Sequence, residues 1–346
     1  MDYRIAEEPI EPLIPDVGRM FRAVYPGFGR SDAQLAWKYL SNPAGRARTW
    51  VAREKSSGQF CGCMLAMPWE LAIHGEPRRC MQIGDLMVHP DHRRKGVSLA
   101  LFAHGLEGLR RGDFGLLFGF VQTGGASHRG AHKFGAHAVG DLRSLKRVLR
   151  PSYLAEKFLK RPESGQRLDR LWLGSIARRA RRFPQFELSE VDRLDEGLDV
   201  LFEQGQPEGA VCARRSARYV NWRHHGAGPA ERLFALRRAG ALEGYAAVAL
   251  RGEVADLVDF YPWQRGEARE ALFALLVERV ASSGARLLQT TAPQPLRGAL
   301  RRKGLVDRGG SWSLIGADVE RRPLGREVWS GRRWFMLSGD CDVAAF

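Results

Sequence analysis

Two hydrophobic rhythms alternate along this chain. In "RTWVARE", "FCGCMLAMPWELAIHG" and "RRCMQIGDLMVHP" apolar residues alternate or run together, as on strands, and the Gly-containing turn between the last two predicts a long hairpin. Before them the pattern predicts a short strand over Tyr3–Ala6, a helix near Pro12–Val24 and a second helix in "SDAQLAWKYLSNP", with Ser31 or Asp32 as its N-cap. After them a helical spacing covers Gly96–Arg111. "FGLLFGFV" is apolar throughout, as a central strand should be. A helix near Ala126–Phe134 and a strand over His137–Val148 complete the first half.

The same order of elements then returns. "LAWKYLSNPAG" has an echo in "YVNWRHHGAGPA", with Trp37 matching Trp222 and a base after each. "WVAREKSSGQFCGCML" is echoed by "LFALRRAGALEGYAAV", "IGDLMVHPDHRRKGVSLALFAHGL" by "VADLVDFYPWQRGEAREALFALLV", and "FGLLFGFVQTGG" by "ARLLQTTAPQP". Matches in one order predict a tandem duplication, with domains at residues 1–150 and 183–346 and a basic helical linker at 151–182. The linker reads as two short amphipathic helices broken at Pro162–Gly165. Its apolar positions Leu171, Leu173 and Ile176 suit packing on a domain or peripheral contact with a membrane surface.

Composition changes this picture little, and charge changes it more. The balance of 44% apolar and 27% charged residues is ordinary for a globular protein. The cysteines (Cys61, Cys63, Cys80, Cys212, Cys341) form no CxxC pair and no histidines stand at zinc spacing, so neither a disulfide framework nor a metal is expected. "MDYRIAEEPIEP" has no basic segment leading into an apolar one, and no run reaches the ~18 apolar residues of a membrane span, so a reducing cytoplasm is the expected compartment. The net charge is +15, and thirteen Lys/Arg against three Asp/Glu fall within residues 143–182. Such an excess favours an anionic partner: a phosphorylated cofactor, an anionic substrate, a lipid surface or nucleic acid. For nucleic acid, residues 143–182 offer few aromatics to stack on, only Tyr153, Phe158 and Trp172, and no RNA-binding signature.

Candidate chemistry begins at "VHPDHRRKGVS". A strand runs out, Arg93, Arg94 and Lys95 follow, and Gly96 stands at the mouth of a helix. First-turn amides have no partner within the helix, and the dipole adds to their pull on an anion. Gly96 lets backbone approach a ligand closely, and Ser98 is small and carries a hydroxyl. These features describe a diphosphate cradle, although neither GxxxxGK[ST] nor GxGxxG is present. A capped helix with an exposed basic turn has the same spacing.

Strand, Pro90, then Arg93-x-x-Gly96-x-Ser98 resembles motif A of the GNAT acyl-CoA N-acyltransferases. The surrounding element order also resembles a GNAT domain, well over Tyr3–Val148 and more loosely over Phe183–Phe346. The resemblance implies an α+β fold of two tandem GNAT-like domains, each a mostly antiparallel mixed sheet flanked by helices. It implies acetyl-CoA or another acyl-CoA as co-substrate and a primary amine as acceptor; the basic charge balance favours an anionic carrier such as a nucleotide-linked or lipid-linked amino sugar, with a small amine or a protein lysine also open. It implies that Arg93, Arg94, Lys95, Gly96, Val97 and Ser98 hold the CoA diphosphate, with Ser127 on the next helix beside them. The N–H of Met87 or Val88 would meet the thioester carbonyl. The family's tyrosine acid, however, is replaced by Ala131 and its asparagine by Gly124, which leaves neighbouring His132, water or a group from the second domain to protonate the thiolate. In the second half Ala268 stands where Gly96 stands and Glu270 where Ser98 stands. A carboxylate there repels a diphosphate, so only the first half is expected to bind acyl-CoA, and the second to shape the acceptor site.

For the base, Asp85 lies on the strand before the motif, Glu70 on its partner strand, and His89 at the strand end, where an imidazole already titrates near neutrality. At the C-terminus Asp340 and Asp342 flank a turn and are candidates to hold a cationic amine. Trp37 and Trp222 read as core anchors. Two rival readings stay open: a CoA-binding module without turnover, given the missing tyrosine, and an RNA- or tRNA-binding protein using residues 143–182.

Overall fold

The computed structural model describes residues 2–27, 29–133, 135–160, 163–224, 231–310, 312–319 and 324–341. Its first half runs β1 (Tyr3–Glu7), α1 (Ile14–Val24), α2 (Asp32–Leu40), β2 (Arg48–Glu54), β3 (Phe60–Ile73), β4 (Glu76–Val88), α3 (Val97–Arg110), β5 (Leu116–Gln122), α4 (Ala126–Lys133) and β6 (His137–Val148). The chain continues with α5 (Ser152–Leu154), a π-helical turn Ala155–Leu159, α6 (Glu163–Ala180), β7 (Phe186–Val191), α7 (Gly197–Gln204), β8 (Val211–Ala213), α8 (Ala217–His224), β9 (Glu231–Arg238), β10 (Ala241–Arg251) and β11 (Val254–Tyr261). It ends with α9 (Glu267–Ser282), β12 (Leu287–Ala292), α10 (Gln294–Arg302), β13 (Val306–Asp307) and β14 (Trp312–Asp318).

Local signals account for these elements. Ser31 is the N-cap of α2: its hydroxyl accepts from the Gln34 N–H at 3.2 Å, and Gln34 Oε1 accepts from the Ser31 N–H at 2.9 Å, a reciprocal capping box. The apolar run of β3 is buried at nearly every position, as a central strand covered on both faces requires. Helix α3 packs closely on the sheet because two of its core-facing positions are glycines. A Cβ at Gly105 would lie 2.6 Å from Met64 Sδ, and one at Gly108 would lie 2.8 Å from the Trp50 ring. Trp50, Met64, Leu101 and Leu109 form the core there.

The chain divides into two compact units, each built on a mixed, mostly antiparallel run of strands. In the first the strand order is β1-β2-β3-β4-β5-β14, with β8 added to β3; in the second it is β6-β12-β11-β10-β9-β7, with β13 on β6. All neighbours are antiparallel except β4 with β5 and β11 with β12. The boundary therefore does not fall at residue 150. The first unit is Met1–Asp141, Val211–Arg214 and Trp312–Arg333; the second is Leu142–Ala210, Arg215–Ser311 and Trp334–Phe346. The reason lies in strand pairing. Most of β6 leaves the first half to pair with β12, Leu145 opposite Thr290, while β14 returns to pair with β5, Ile315 opposite Gly119. Nor is 151–182 a free linker: α6 packs on α9 within the second unit.

Residues 1–150 alone lack β14 and leave apolar β5 as an open edge, which recruits other chains. We expect that fragment to aggregate on expression while the full chain stays soluble. A fragment that is soluble and melts cooperatively would show the strand exchange to be dispensable.

Candidate active site

Strand β4 meets β5 at only two positions, Met81 opposite Leu117 and Gln82 opposite Phe118, and then the two strands part. At the parting β4 carries a bulge. Leu65 pairs with Asp85 but Ala66 pairs with Ile83, so Gly84 is the extra residue. Beyond it β4 stays bonded to β3, and the side turned away from β3 is free of β5. The His89 N–H donates to the Cys61 carbonyl at 2.9 Å. Ladder groups alternate sides along a strand, so the Met87 N–H faces β3 and the Val88 N–H faces the open side. The Val88 carbonyl confirms that direction by accepting from Arg93 Nε at 3.3 Å. Of the two amides expected to meet a thioester, Val88 is the one turned away from β3.

The loop that follows is wound for an anion. Arg94 (φ 61°) and Gly96 (φ 79°) take left-handed torsions, and a Cβ at Gly96 would meet no atom within 4 Å. Gly96 is the N-cap of α3, and no side chain caps the helix. The amides of Val97, Ser98 and Leu99 therefore keep their donor capacity for a ligand. Arg93, Arg94, Lys95 and Ser98 are exposed around them, while Val97 is buried. The loop is fastened from beneath by a residue that the sequence reading passed over. His92 is buried, with Nδ1 2.9 Å from the Tyr3 hydroxyl and Nε2 3.6 Å from Cys61 Sγ.

Asp85 is buried, and its Oδ2 accepts from Lys38 Nζ at 2.6 Å and from the Tyr39 hydroxyl. Burial by itself would raise the Asp85 carboxyl. The Lys38 charge, with the hydrogen bonds from Lys38 and Tyr39, outweighs burial and holds it below the usual carboxylate range. Arg78 and Arg79, the partners a sequence reading would choose, lie on the hairpin stretch of β4 opposite Leu71 and Glu70. Lys38 and Tyr39 share the buried stripe of α2 with Leu35, at i, i+3 and i+4. A lysine on a core-facing stripe calls for a buried counter-charge, and that was the available signal.

The remaining candidates are dispersed. Glu70 lies five residues along β3 from the partner of Asp85, about 17 Å of strand away. It is exposed, with its carboxylate 3.5 Å from Arg214. His89 stays at the end of β4, where its Nδ1 accepts from the Asp91 N–H at 3.4 Å. His132 is exposed on the last turn of α4, its Nδ1 3.0 Å from the Ala136 carbonyl, and Ser127 is exposed on the first turn. Among the described residues no cluster of His, Cys, Asp or Glu is placed to hold a metal ion.

The second unit repeats this plan and closes it. Strands β11 and β12 part after Asp256, and the bulge residue on β11 is Val258, so Asp259 rather than Asp256 is the counterpart of Asp85. Asp259 is also buried with a cation and a tyrosine: Arg215 Nη2 at 3.1 Å and the Tyr245 hydroxyl at 2.7 Å. Burial is again outweighed, here by Arg215 and His224, and its pKa falls to about 2. The parting itself is filled by the chain's own turn Ser338–Asp340. Ser338 Oγ donates to the Val258 carbonyl at 3.3 Å, and a Cβ at Gly339 would lie 2.9 Å from that oxygen. Asp340, expected to hold an acceptor amine, is instead fully buried, accepting from Arg215 at 2.7 Å, Tyr219 at 2.9 Å and the Leu337 N–H at 2.9 Å. No surface of its carboxylate is left for a substrate; Asp342 lies outside the described residues.

Helix α9 also begins two residues earlier than the sequence match implies. Its N-cap is Gly266, so Gly266, not Ala268, holds the place of Gly96. The first turn carries Glu267, which accepts from Gln185 at 2.7 Å, and Glu270, paired with Lys303. Two carboxylates thus stand on the first turn of α9, where the first turn of α3 carries none.

Comparison with known proteins agrees with this geometry. Residues 14–136 match the family model described as Acetyltransferase (GNAT) domain. No curated protein matches the sequence. Among solved structures, a probable N-acyltransferase from Enterococcus faecalis V583 superposes with a TM-score of 0.65 at 12% identity, over 92% of this chain and 73% of the other. Saccharomyces cerevisiae N-myristoyltransferase with bound myristoyl-CoA gives 0.59 at 13% identity, over 100% and 85%. A tandem GNAT protein from the clavulanic acid biosynthesis pathway gives 0.53 at 15% identity, over 93% and 100%. At such identities the likeness speaks for the fold.

Replacing Asp85 by Asn strands the Lys38 charge in the core, and we expect a loss of about 3–5 kcal/mol in urea unfolding at pH 7. The double substitution Lys38→Met with Asp85→Leu should recover most of it. Because the folded carboxyl lies below its unfolded value near 3.9, the pair's contribution is complete above about pH 4 and drains away as pH falls through the folded value. The Asn penalty should shrink over the same window. A penalty that is flat with pH, or no rescue by the double variant, would refute the ion pair.

Proposed function

We propose that this chain, whose residues 14–136 make up a GNAT acetyltransferase domain, is an N-acyltransferase that moves an acyl group from acyl-CoA to a primary amine. The observation that carries the proposal is the conjunction at the end of β4: a parted strand with the outward amide of Val88, followed directly by the uncapped, cation-ringed start of α3. The pantetheine arm of CoA is an extended amide chain, so it can pair with the free side of β4 as a missing neighbour strand would. The diphosphate then falls on the amides of Val97, Ser98 and Leu99 and on Arg93, Arg94 and Lys95. The Val88 N–H polarises the thioester carbonyl and stabilises the oxyanion as the amine adds; one such donor is commonly worth about 3 kcal/mol.

Asp85 serves this site by position rather than as the direct proton sink. Its carboxylate is a weakened base, and an incoming ammonium would have to displace Lys38. We assign the Lys38–Asp85–Tyr39 cluster to holding α2 over the bulge, which fixes the approach of the acceptor. The amine reaches the thioester neutral, and its proton leaves to water. With Ala131 in place of the family's tyrosine, the departing thiolate takes its proton from solvent or from an imidazolium form of His132, whose Nδ1 is committed to Ala136. Ala131 is also the single observation behind the second reading, a CoA-binding module without turnover. The acceptor is an amine of a small molecule or of an anionic carrier.

Calorimetry should detect acetyl-CoA binding that weakens about 100-fold in Gly96→Glu, where a side chain is strained at positive φ and a carboxylate faces the diphosphate. Absence of heat with any coenzyme A species would refute the site. Thiol release against an amine panel then separates enzyme from binding module. We expect turnover whose rate rises with pH as the acceptor amine deprotonates, and tight binding with no release for any amine would favour the module.

A further inference from the structure

Among the described residues, six of the eleven large apolar side chains that stand exposed fall within nineteen residues, Leu154 to Trp172. Scattered exposed apolar residues mean little, whereas a group of this size marks an interaction surface. Helix α6 shows how the group arises. Asp169, Leu173, Ile176 and Ala180 recur at i, i+4, i+7 and i+11 and form the packed stripe, with Ile176 and Ala180 buried. Leu168, Leu171 and Trp172 recur at i, i+3 and i+4 on a second stripe, and Leu171 is 73% exposed. The neighbouring π-helical turn adds Phe158 and Leu159, which are 72% and 65% exposed.

The two helical pieces are one firm hairpin, not a loose tail. The Ser152 N–H and hydroxyl donate to the two oxygens of buried Asp169 at 2.9 and 2.6 Å. Gly165 admits the close crossing, since a Cβ there would lie 2.4 Å from Ser152 Cα. The apolar ridge is therefore held out to solvent by the fold. Its flanks are cationic: Lys157, Lys160, Arg167 and Arg170 are all exposed, and residues 143–182 hold ten of the chain's net fifteen positive charges. No described helix is long and apolar enough to cross a membrane.

From this ridge and its rim we infer that the hairpin of α5, the π-helical turn and α6 seats the protein on an anionic lipid bilayer, with Phe158, Leu159, Leu171 and Trp172 at the headgroup–acyl boundary and the flanking Lys and Arg on lipid phosphates. An apolar stripe beside a cationic one is the arrangement that interfacial helices use, and Trp is at home at that depth. Charge complementarity selects the bilayer over the alternatives. A second copy of the chain would bring the same cations against each other, and RNA would leave the aliphatic ridge in water.

Flotation with vesicles tests the assignment, using neutral phosphatidylcholine and phosphatidylcholine with about one-third phosphatidylglycerol. We expect the full chain to float with the anionic vesicles at least about tenfold more tightly than with the neutral ones, and less so as salt rises. Leu171→Glu with Trp172→Glu should cut that binding about tenfold or more while melting temperature and acetyl-CoA binding stay unchanged, because both side chains face solvent. Gly96→Glu should float like the wild type, which separates the bilayer seat from the acyltransferase reading. No flotation with either vesicle, or flotation that the double substitution leaves intact, would overturn the assignment. So would a dimer dissolved by the double substitution, or single-stranded RNA bound more tightly than the vesicles.

Discussion

The acyltransferase proposed for this protein depends on one departure from regular β-structure: two parallel neighbours, β4 and β5, that bond at two positions and then separate. A sheet normally consumes its backbone donors in its own ladder. Where the strands part, the backbone groups on the open side of β4 have no strand neighbour, and an extended amide-bearing ligand can complete the ladder. The bulge at Gly84 re-aims the strand at that point. The helix that follows supplies free amides for whatever charge the ligand carries at its far end. Strand, bulge and helix start thus act as one receptor for a long molecule with an anionic terminus.

The second unit clarifies the first by keeping the same parts with the opening closed. A carboxylate one residue past the bulge meets a buried cation and a tyrosine in both: Asp85 with Lys38 and Tyr39, Asp259 with Arg215 and Tyr245. Such pairs cost desolvation and seldom add net stability. Their recurrence suits a different task, holding the preceding segment in one position over the strand. What differs is what occupies the gap. Between β11 and β12 the chain inserts Ser338–Asp340, and acidic Glu267 and Glu270 take up the first turn of α9. Duplication has left the parting open in one unit and filled by its own polypeptide in the other.

A cationic, apolar hairpin built into the second unit adds a location to this chemistry. If the protein sits on an anionic bilayer, its acceptors are drawn from what that surface concentrates, and amine groups on lipid-linked or surface-bound carriers rise in standing among the substrates to try. The ridge and the loop proposed to hold acyl-CoA lie on different units and would draw on different forces, apolar burial for one and fixed dipoles for the other.

Much of this was legible from the residues alone, because the signals are local. Periods of two and three-to-four placed the strands and helices, Ser31 announced the start of α2, and Arg93-x-x-Gly96-x-Ser98 marked the basic turn that opens α3; each depends on neighbours a few positions apart. Tertiary structure decided what depends on partners far along the chain. The apolar run of β5 called for a central strand but could not say that β14, some two hundred residues later, would cover it. Asp85 read as an available base until Lys38 and Tyr39 proved to hold it, and Asp340 read as a substrate ligand until Arg215 and Tyr219 enclosed it. Because β11 parts from β12 only after Asp256, as β4 parts from β5 after Gln82, the true counterpart of Asp85 is Asp259 rather than Asp256. Periodicity reports which face of an element is buried; only packing selects what that face is buried against, and a charge changes meaning entirely with that choice.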